Sequence, residues 1–320
     1  MQLRILSSAD VRAALPMPRA IEAMRRAFGQ LSSGQAVMPL RSRLSTDEGL
    51  TLFMPAYLRA SGDFAVKVVS VYEGNRERDL PAVLGVVLVL DAHTGAPRAL
   101  LDGATLTELR TGAGGGLATE LLARKDARIV GLFGASVQAR AQLAAVLAVR
   151  RISEVRVLSR SESSAARFAA EVSAWPDAPR VTIARSPREV VAGADIIITA
   201  TSSGTPVFDG RDLAPGTHLT AVGSHMPTMR ELDEVAVQRA SKIVVDSREA
   251  AGAEAGDLLL AGATIYAELG EIVNGQKSGR ETADEITLFK SVGIAAQDAA
   301  AAGAALAEAE ARGLGTLVEI

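Results

Sequence analysis

A lysine stands in a strand that should be apolar on both faces. In Phe64-Ala65-Val66-Lys67-Val68-Val69-Ser70-Val71, side chains alternate between faces. Lys67 shares one face with Ala65, Val69 and Val71, and Phe64, Val66 and Val68 take the other. Whichever face is buried, the ammonium lies among apolar neighbours, and burying it without a partner is costly. A ligand carboxylate is one suitable partner; an internal ion pair, or an edge strand that lets the lysine reach water, are the others. Arg110 is the helical counterpart. Leu106, Ala113, Gly114 and Leu117 lie at i−4, i+3, i+4 and i+7 from it, so the guanidinium projects from an apolar stripe. The run Gly112-Ala113-Gly114-Gly115-Gly116 beside it is poor for helix stability and suits close approach of backbone to another element or to a ligand. A buried salt bridge with close helix packing accounts for Arg110 equally well.

A second kind of chemistry is written in Ile129-Val130-Gly131-Leu132-Phe133-Gly134-Ala135-Ser136-Val137-Gln138-Ala139, which runs from a strand into a helix. Small residues there let the backbone approach a pyrophosphate, and the helix start offers amide donors and a positive dipole end. The pattern is an imperfect glycine fingerprint, Gly134-x-Ser136-x-x-Ala139, and a tight turn that binds nothing has the same look. The next strand ends in Leu158-Ser159-Arg160-Ser161. An acid at that tip, about 20 residues on, would hold the ribose hydroxyls of NAD. Arg160 instead suits a 2′-phosphate, with Ser159 and Ser161 as extra donors, although Glu162 follows one step later. The reading favours NADP(H) over NAD(H).

Of the three histidines, His225 in Gly223-Ser224-His225-Met226-Pro227 is the acid–base candidate, since its ordinary pKa of about 6.5 suits proton transfer near neutrality; lining a pocket is its bland role. His93 follows Asp91 in a turn and reads as structural, and His218 opens a strand and reads as a surface or edge residue. They show no i, i+4 pairing, and with no cysteine in the chain no metal motif emerges.

These groups must be positioned by elements that the pattern also outlines. The chain has 320 residues, 48% hydrophobic and 22% charged, enough for one large domain or two with real cores. A net charge of −3 and 3% aromatics argue against nucleic-acid partners. The N-terminus lacks the apolar core of a signal peptide and no segment nears the ~20 apolar residues of a membrane span, so a cytoplasmic enzyme without a membrane partner is expected. Helical spacing covers 18–33, strands dominate 37–101, and Thr105 with Glu108 has capping-box spacing that would start a helix near Leu106. From about residue 126, strands and helices alternate, with Ser186-Pro187-Arg188-Glu189 as a helix start. Such alternation predicts an α/β fold, a Rossmann-type doubly wound parallel sheet. The Ala-rich tail reads as an amphipathic helix, and both it and Glu285–Lys290 are expected to return to the first domain. The expected organisation is an α+β substrate-binding and dimerisation domain from residues 1–120 and 290–320, and a Rossmann domain at 121–289.

The chain also resembles the ornithine cyclodeaminase/μ-crystallin family along essentially its whole length. The matching stretches include Met38-Pro39-Leu40-Arg41, Phe53-Met54-Pro55-Ala56-Tyr57, Val66-Lys67-Val68-Val69 and Leu109-Arg110-Thr111-Gly112-Ala113. Further on are Gly134-x-x-x-Gln138-Ala139, Val222-Gly223-Ser224-His225-Met226-Pro227, Arg230-Glu231-Leu232-Asp233, and Phe289-Lys290-Ser291-Val292-Gly293-Ile294-Ala295 with Gln297-Asp298. The resemblance implies a homodimer acting on small imino or amino acids with a nicotinamide cofactor. It places Arg41, Lys67 and Arg110 on the substrate carboxylate. Around the cofactor it places Arg110, Thr111, Gly134, Ala135, Ser136, Val137, Gln138, Ser159, Arg160, Thr199, Ala200, Thr201, Val222, Gly223 and Ser291. Lys67 or His225 would move the proton. True cyclodeaminases carry an aspartate where His225 stands and a lysine where Met229 stands, and an acid at the second strand's tip. The resemblance therefore implies reduction of a cyclic 2-imino acid such as pyrroline- or piperideine-2-carboxylate, or the reverse oxidation. A cyclodeaminase-type lyase recycling its NAD, an alanine dehydrogenase-like enzyme and a non-catalytic NADPH-binding protein of the μ-crystallin type are the alternatives.

Overall fold

The computed structural model describes residues 2–320. They divide into two compact units, residues 2–110 with Ile294–Ile320, and Thr111–Gly293.

The first unit is built on a mixed sheet. Its strands run in the order Thr316–Glu319, Gln2–Leu6, Pro97–Asp102, Val83–Leu90, Asp63–Val71, Leu50–Leu58 and Ala36–Val37, and Ser42–Ser45 also pairs with Leu50–Leu58. The helices Met17–Ser32 and Ala295–Arg312 pack on each other, and the second also lies against the strands Leu50–Leu58 and Asp63–Val71. Ile21, Met24 and Phe28 of the first helix are buried at helical spacing. Register decides which strand residues meet this helical layer. Lys67 pairs across the sheet with Met54 on one side and Val87 on the other, and all three are buried. On the alternate positions Phe53, Leu84 and Val86 are exposed, as the two-residue period requires. The Ala-rich helix departs from expectation. Ala295 to Ala302 is buried without a break, so Gln297 and Asp298, which read as part of a polar face, lie inside the unit. Alanine's small side chain lets neighbouring elements pack around the whole circumference of this first half, and the exposed residues come only towards the end, at 307 and 310–312.

The second unit is a parallel sheet in the order Arg180–Ile183, Glu154–Leu158, Ile129–Phe133, Ile196–Thr199, His218–Ala221, Thr287–Lys290, Lys242–Val245 and Ala267–Glu268. The order reverses beside Ile129–Phe133, as in doubly wound folds. The strand at 287–290 corrects the expectation that Glu285–Lys290 joins the first domain: Thr287–Lys290 is an interior strand of this sheet, paired on both sides and buried throughout. Its terminal lysine and its length of four residues leave no apolar run of the kind that marks a buried strand. The helix Gly103–Leu122 starts earlier than the Thr105/Glu108 spacing implied, because Asp102 Oδ1 accepts from Thr105 N at 2.8 Å, while Glu108 pairs with Arg12. Within the second unit Gly112 of this helix meets the helix Val137–Val149: a Cβ there would lie 2.5 Å from the Ala141 carbonyl oxygen, so close packing is what the glycine permits. Among the described residues no helix is long and apolar enough to cross a membrane, and no cluster of three or more His, Asp or Glu is placed to hold a metal ion.

Candidate active site

In the first unit the two anomalous cations converge on one carboxylate. Lys67 and Arg110 are 2% and 5% exposed, and Asp298 is 1% exposed. Lys67 Nζ lies 2.8 Å from Asp298 Oδ2, and Arg110 Nε lies 3.0 Å from Asp298 Oδ1. Arg110 Nη1 also donates to Gln297 Oε1 at 3.0 Å. The strand contributes the lysine, the helix Gly103–Leu122 the arginine, and the first turn of Ala295–Arg312 both acceptors. Of the partners that the pattern left open, an internal ion pair is thus present. It does not close the balance: Lys67 and Arg110 together carry one positive charge more than Asp298 cancels. Gln297 Oε1 also accepts from Ile294 N at 3.0 Å, so two obligate donors fix the amide's orientation. Its Nε2 is left buried without a hydrogen-bond partner among the described residues, a donor that an acceptor group would satisfy. Arg41 is half-buried just ahead of the strand Ser42–Ser45. Burial pushes the Lys67 ammonium down to about 8, with Arg110 and Arg41 adding to the effect and Asp298 opposing it. A buried amine poised there can hold a carboxylate, and it can give up a proton near neutrality. Asp298 and Gln297 escaped the residue-by-residue reading; two polar residues side by side in an alanine run were the available signal.

In the second unit the glycine turn is shaped for close approach. Gly134 has φ +106°, and a Cβ there would lie 2.5 Å from the Ala200 carbonyl oxygen. Gly134 N donates to Leu158 O at 2.8 Å, holding the turn to the neighbouring strand. Ser136 caps the helix Val137–Val149, accepting from Ala139 N, and Ala135 O accepts from Arg140. Val137 is exposed at the helix start. Gln138 Oε1 is buried with no hydrogen-bond partner among the described residues. A cradle that a side chain would fill, a helix N-terminus and an orphaned amide oxygen together fit a dinucleotide. At the next strand's tip Arg160 is exposed and donates to Ser202 Oγ at 3.3 Å. Ser159 is half-buried, and Ser161 is taken up as the cap of the helix Glu162–Ser173.

Four of the remaining candidates at the strand ends, Thr199, Thr201, Gly223 and Ser291, are tied to two buried carboxylates, Glu231 and Asp246. Thr199 Oγ1 donates to Glu231 Oε2 at 2.9 Å, and Thr201 donates to Glu231 Oε1 from both N and Oγ1 at 2.7 Å. Gly223 N donates to Glu231 Oε2 at 2.7 Å. Ser291 Oγ donates to the buried Asp246 at 2.8 Å. Ala200 is buried and Val222 half-buried, each tied by its backbone N–H to an adjacent strand. Thr111 O accepts from Gln142 Nε2 at 2.8 Å. His225 is exposed, its Nδ1 3.3 Å from Gly223 O. His218 overturns its assignment as a surface or edge residue. It is fully buried between Thr287 Oγ1 and Thr220 Oγ1, and burial, with Arg280 and Arg150, pushes it down to about 3. An interior parallel strand is covered on both faces, so its first residue is no more exposed than its last. His93 donates its backbone N–H to Asp91 in a turn.

A family model described as ornithine cyclodeaminase/mu-crystallin family matches residues 1–312. A Delta(1)-pyrroline-2-carboxylate reductase from Bacillus cereus is 37% identical over 324 residues, covering 98% of this chain and 99% of the relative. The solved structure of Delta(1)-pyrroline-2-carboxylate reductase from Thermococcus litoralis, in complex with NADH and L-proline, is 42% identical with a TM-score of 0.92, over 98% of this chain and 99% of that one. An archaeal alanine dehydrogenase dimer with bound NAD is 33% identical with a TM-score of 0.93, over the whole of both chains.

Proposed function

As the chain belongs to the ornithine cyclodeaminase/mu-crystallin family, we propose that it is a nicotinamide-dependent oxidoreductase that reduces a small cyclic 2-imino acid of the Δ1-pyrroline-2-carboxylate type, or runs the reverse oxidation. One observation carries the substrate class: the buried Lys67–Asp298–Arg110 cluster keeps an excess positive charge out of water, where one carboxylate would balance it. A bound reduced nicotinamide supplies hydride. Lys67, Arg110 and Arg41 hold the substrate carboxylate and so orient the C=N bond. Reduction adds hydride to carbon and a proton to nitrogen. Lys67 Nζ, pushed down to about 8, gives that proton, and Asp298 steadies the ammonium beforehand. His225, exposed on its turn, is the weaker donor.

Gly134, Ala135, Ser136, Val137 and Gln138 receive the pyrophosphate, with Thr111, Thr199, Ala200, Thr201, Val222, Gly223 and Ser291 lining the rest of the dinucleotide. Arg160, with Ser159, receives a 2′-phosphate, which makes NADP(H) the preferred cofactor. By likeness to the archaeal dehydrogenase the active form is a homodimer. A panel of cyclic imino acids and amino acids, run with each cofactor and followed at the nicotinamide absorbance, tests the whole reading. NADPH oxidation with pyrroline- or piperideine-2-carboxylate is expected. Ammonia release from ornithine without net nicotinamide turnover would make the chain a cyclodeaminase instead.

A further inference from the structure

Below the nucleotide candidates of the second unit lies a charged network with no part in the chemistry above. Glu231 is 0% exposed. Its Oε1 accepts from Thr201 N and Oγ1, and its Oε2 from Thr199 Oγ1 and Gly223 N. These donors belong to the segments leaving two neighbouring strands, Ile196–Thr199 and His218–Ala221. Asp257 Oδ1 in turn accepts from Glu231 N at 2.6 Å and Leu232 N at 2.9 Å. Its Oδ2 lies 2.7 Å from Nζ of Lys290, which is also 0% exposed and donates to Ser224 O at 2.6 Å. Lys290 closes a third adjacent strand, Thr287–Lys290. The network thus stitches together the carboxyl ends of three successive parallel strands, the edge outside which such sheets bind ligands. It leaves no slack: a Cβ on Gly223 would collide with Thr201 O and lie 2.5 Å from Glu231 Oε1.

The geometry points to Glu231 as a positioning residue for the nicotinamide half of the cofactor: its carboxylate holds the 199–201 and 223–224 segments in register, while the adenosine half rests on the Gly134 turn and Arg160, which meet the first of these segments at Ala200 O and, one residue past it, at Ser202 Oγ and make no bond to Glu231. This rests on the reading of the second unit as a nicotinamide dinucleotide site. Burial raises the Glu231 carboxyl above the ordinary range, with Lys290 and Thr201 opposing. Each of its oxygens nevertheless faces a backbone N–H, an obligate donor, so a proton on either oxygen would be opposed. The same argument makes Glu231→Gln informative. Whichever way the amide turns, its NH2 group opposes the N–H of Thr201 or of Gly223.

The test is binding of two ligands by calorimetry to the full chain: NADPH, and 2′-phospho-ADP-ribose, which lacks the nicotinamide. Glu231→Gln is expected to weaken NADPH at least tenfold and to leave 2′-phospho-ADP-ribose within twofold of native. Thr199→Val, which removes one donor and preserves shape, is expected to weaken NADPH alone by a smaller factor, and it carries the test should Glu231→Gln fail to fold. Equal weakening of both ligands by the folded variants would make the network general scaffolding and overturn the proposal. Native-like affinity for both would overturn it too. Native protein that binds neither ligand would instead overturn the dinucleotide reading on which the proposal stands.

Discussion

Lys67→Met isolates the charge on which substrate capture depends. Methionine keeps the length and apolar stem of lysine and deletes the ammonium, leaving Arg110 and Asp298 as a balanced pair 3.0 Å apart. The positive charge in excess of Asp298 then disappears, and a substrate carboxylate loses a desolvated ionic partner. Truncating one side of such a buried pair costs about 2–5 kcal/mol. At about 1.4 kcal/mol per decade, kcat/KM should fall roughly 30- to 4,000-fold, and further if Lys67 is also the proton donor. Stability should move the other way. Folding lowers Lys67 from its ordinary 10.5 to about 8, a difference that disfavours the buried ammonium by roughly 3 kcal/mol. Between those two values the unfolded chain binds more protons than the native one, so native stability rises with pH across that window. Below pH 8 the burial penalty is fully present, and Lys67→Met removes it. Melting of both proteins from pH 6 to 10, with steady-state kinetics and NADPH binding at pH 7, checks the argument. The variant should melt no lower than native at pH 7, with its advantage shrinking towards pH 10, and should bind NADPH normally. A kcat/KM within threefold of native, or a large loss of stability at pH 7, would refute it.

Three other variants test the remaining assignments. Asp298 opposes the depression of Lys67, so Asp298→Asn should lower the amine further and move the alkaline fall of imine reduction to lower pH by at least ~1 unit; an unmoved limb in a pH–rate profile would remove Lys67 as donor. The same variant strands two buried cations, and denaturant unfolding should show a loss of about 3–5 kcal/mol. Arg160→Ala should weaken NADPH about 10- to 100-fold and leave NADH nearly unchanged by fluorescence titration, the contribution expected of charge-assisted hydrogen bonds to one phosphate; equal effects would refute the 2′-phosphate role. His225→Ala should leave kcat close to native, whereas a loss of about a hundredfold or more would transfer the proton-donor role to it.

Patterning alone made much of this protein legible. Two-residue and 3.6-residue periods mark most strands and helices, because a half-buried element writes its buried face into the sequence. The same rule exposed Lys67 and Arg110 as cations in apolar company, and the glycine turn at Gly134 followed from its place between a strand and a helix. Elements buried all round leave no such trace. Thr287–Lys290 is an interior strand whose neighbours arrive from distant parts of the chain, and the start of the helix Ala295–Arg312 is enclosed on every side. His218 is hidden for the same reason: only pairing on both sides of its strand shows that it is interior. Partners were also beyond reach. Asp298 lies 231 residues from Lys67 in the chain, and Glu231 about 30 from the threonines it holds, and nothing local couples them. Residue type and period reveal that a charge must be buried, because that depends on its immediate neighbours. What neutralises the charge is decided by which distant elements the fold brings alongside, and that is a property of the tertiary structure alone.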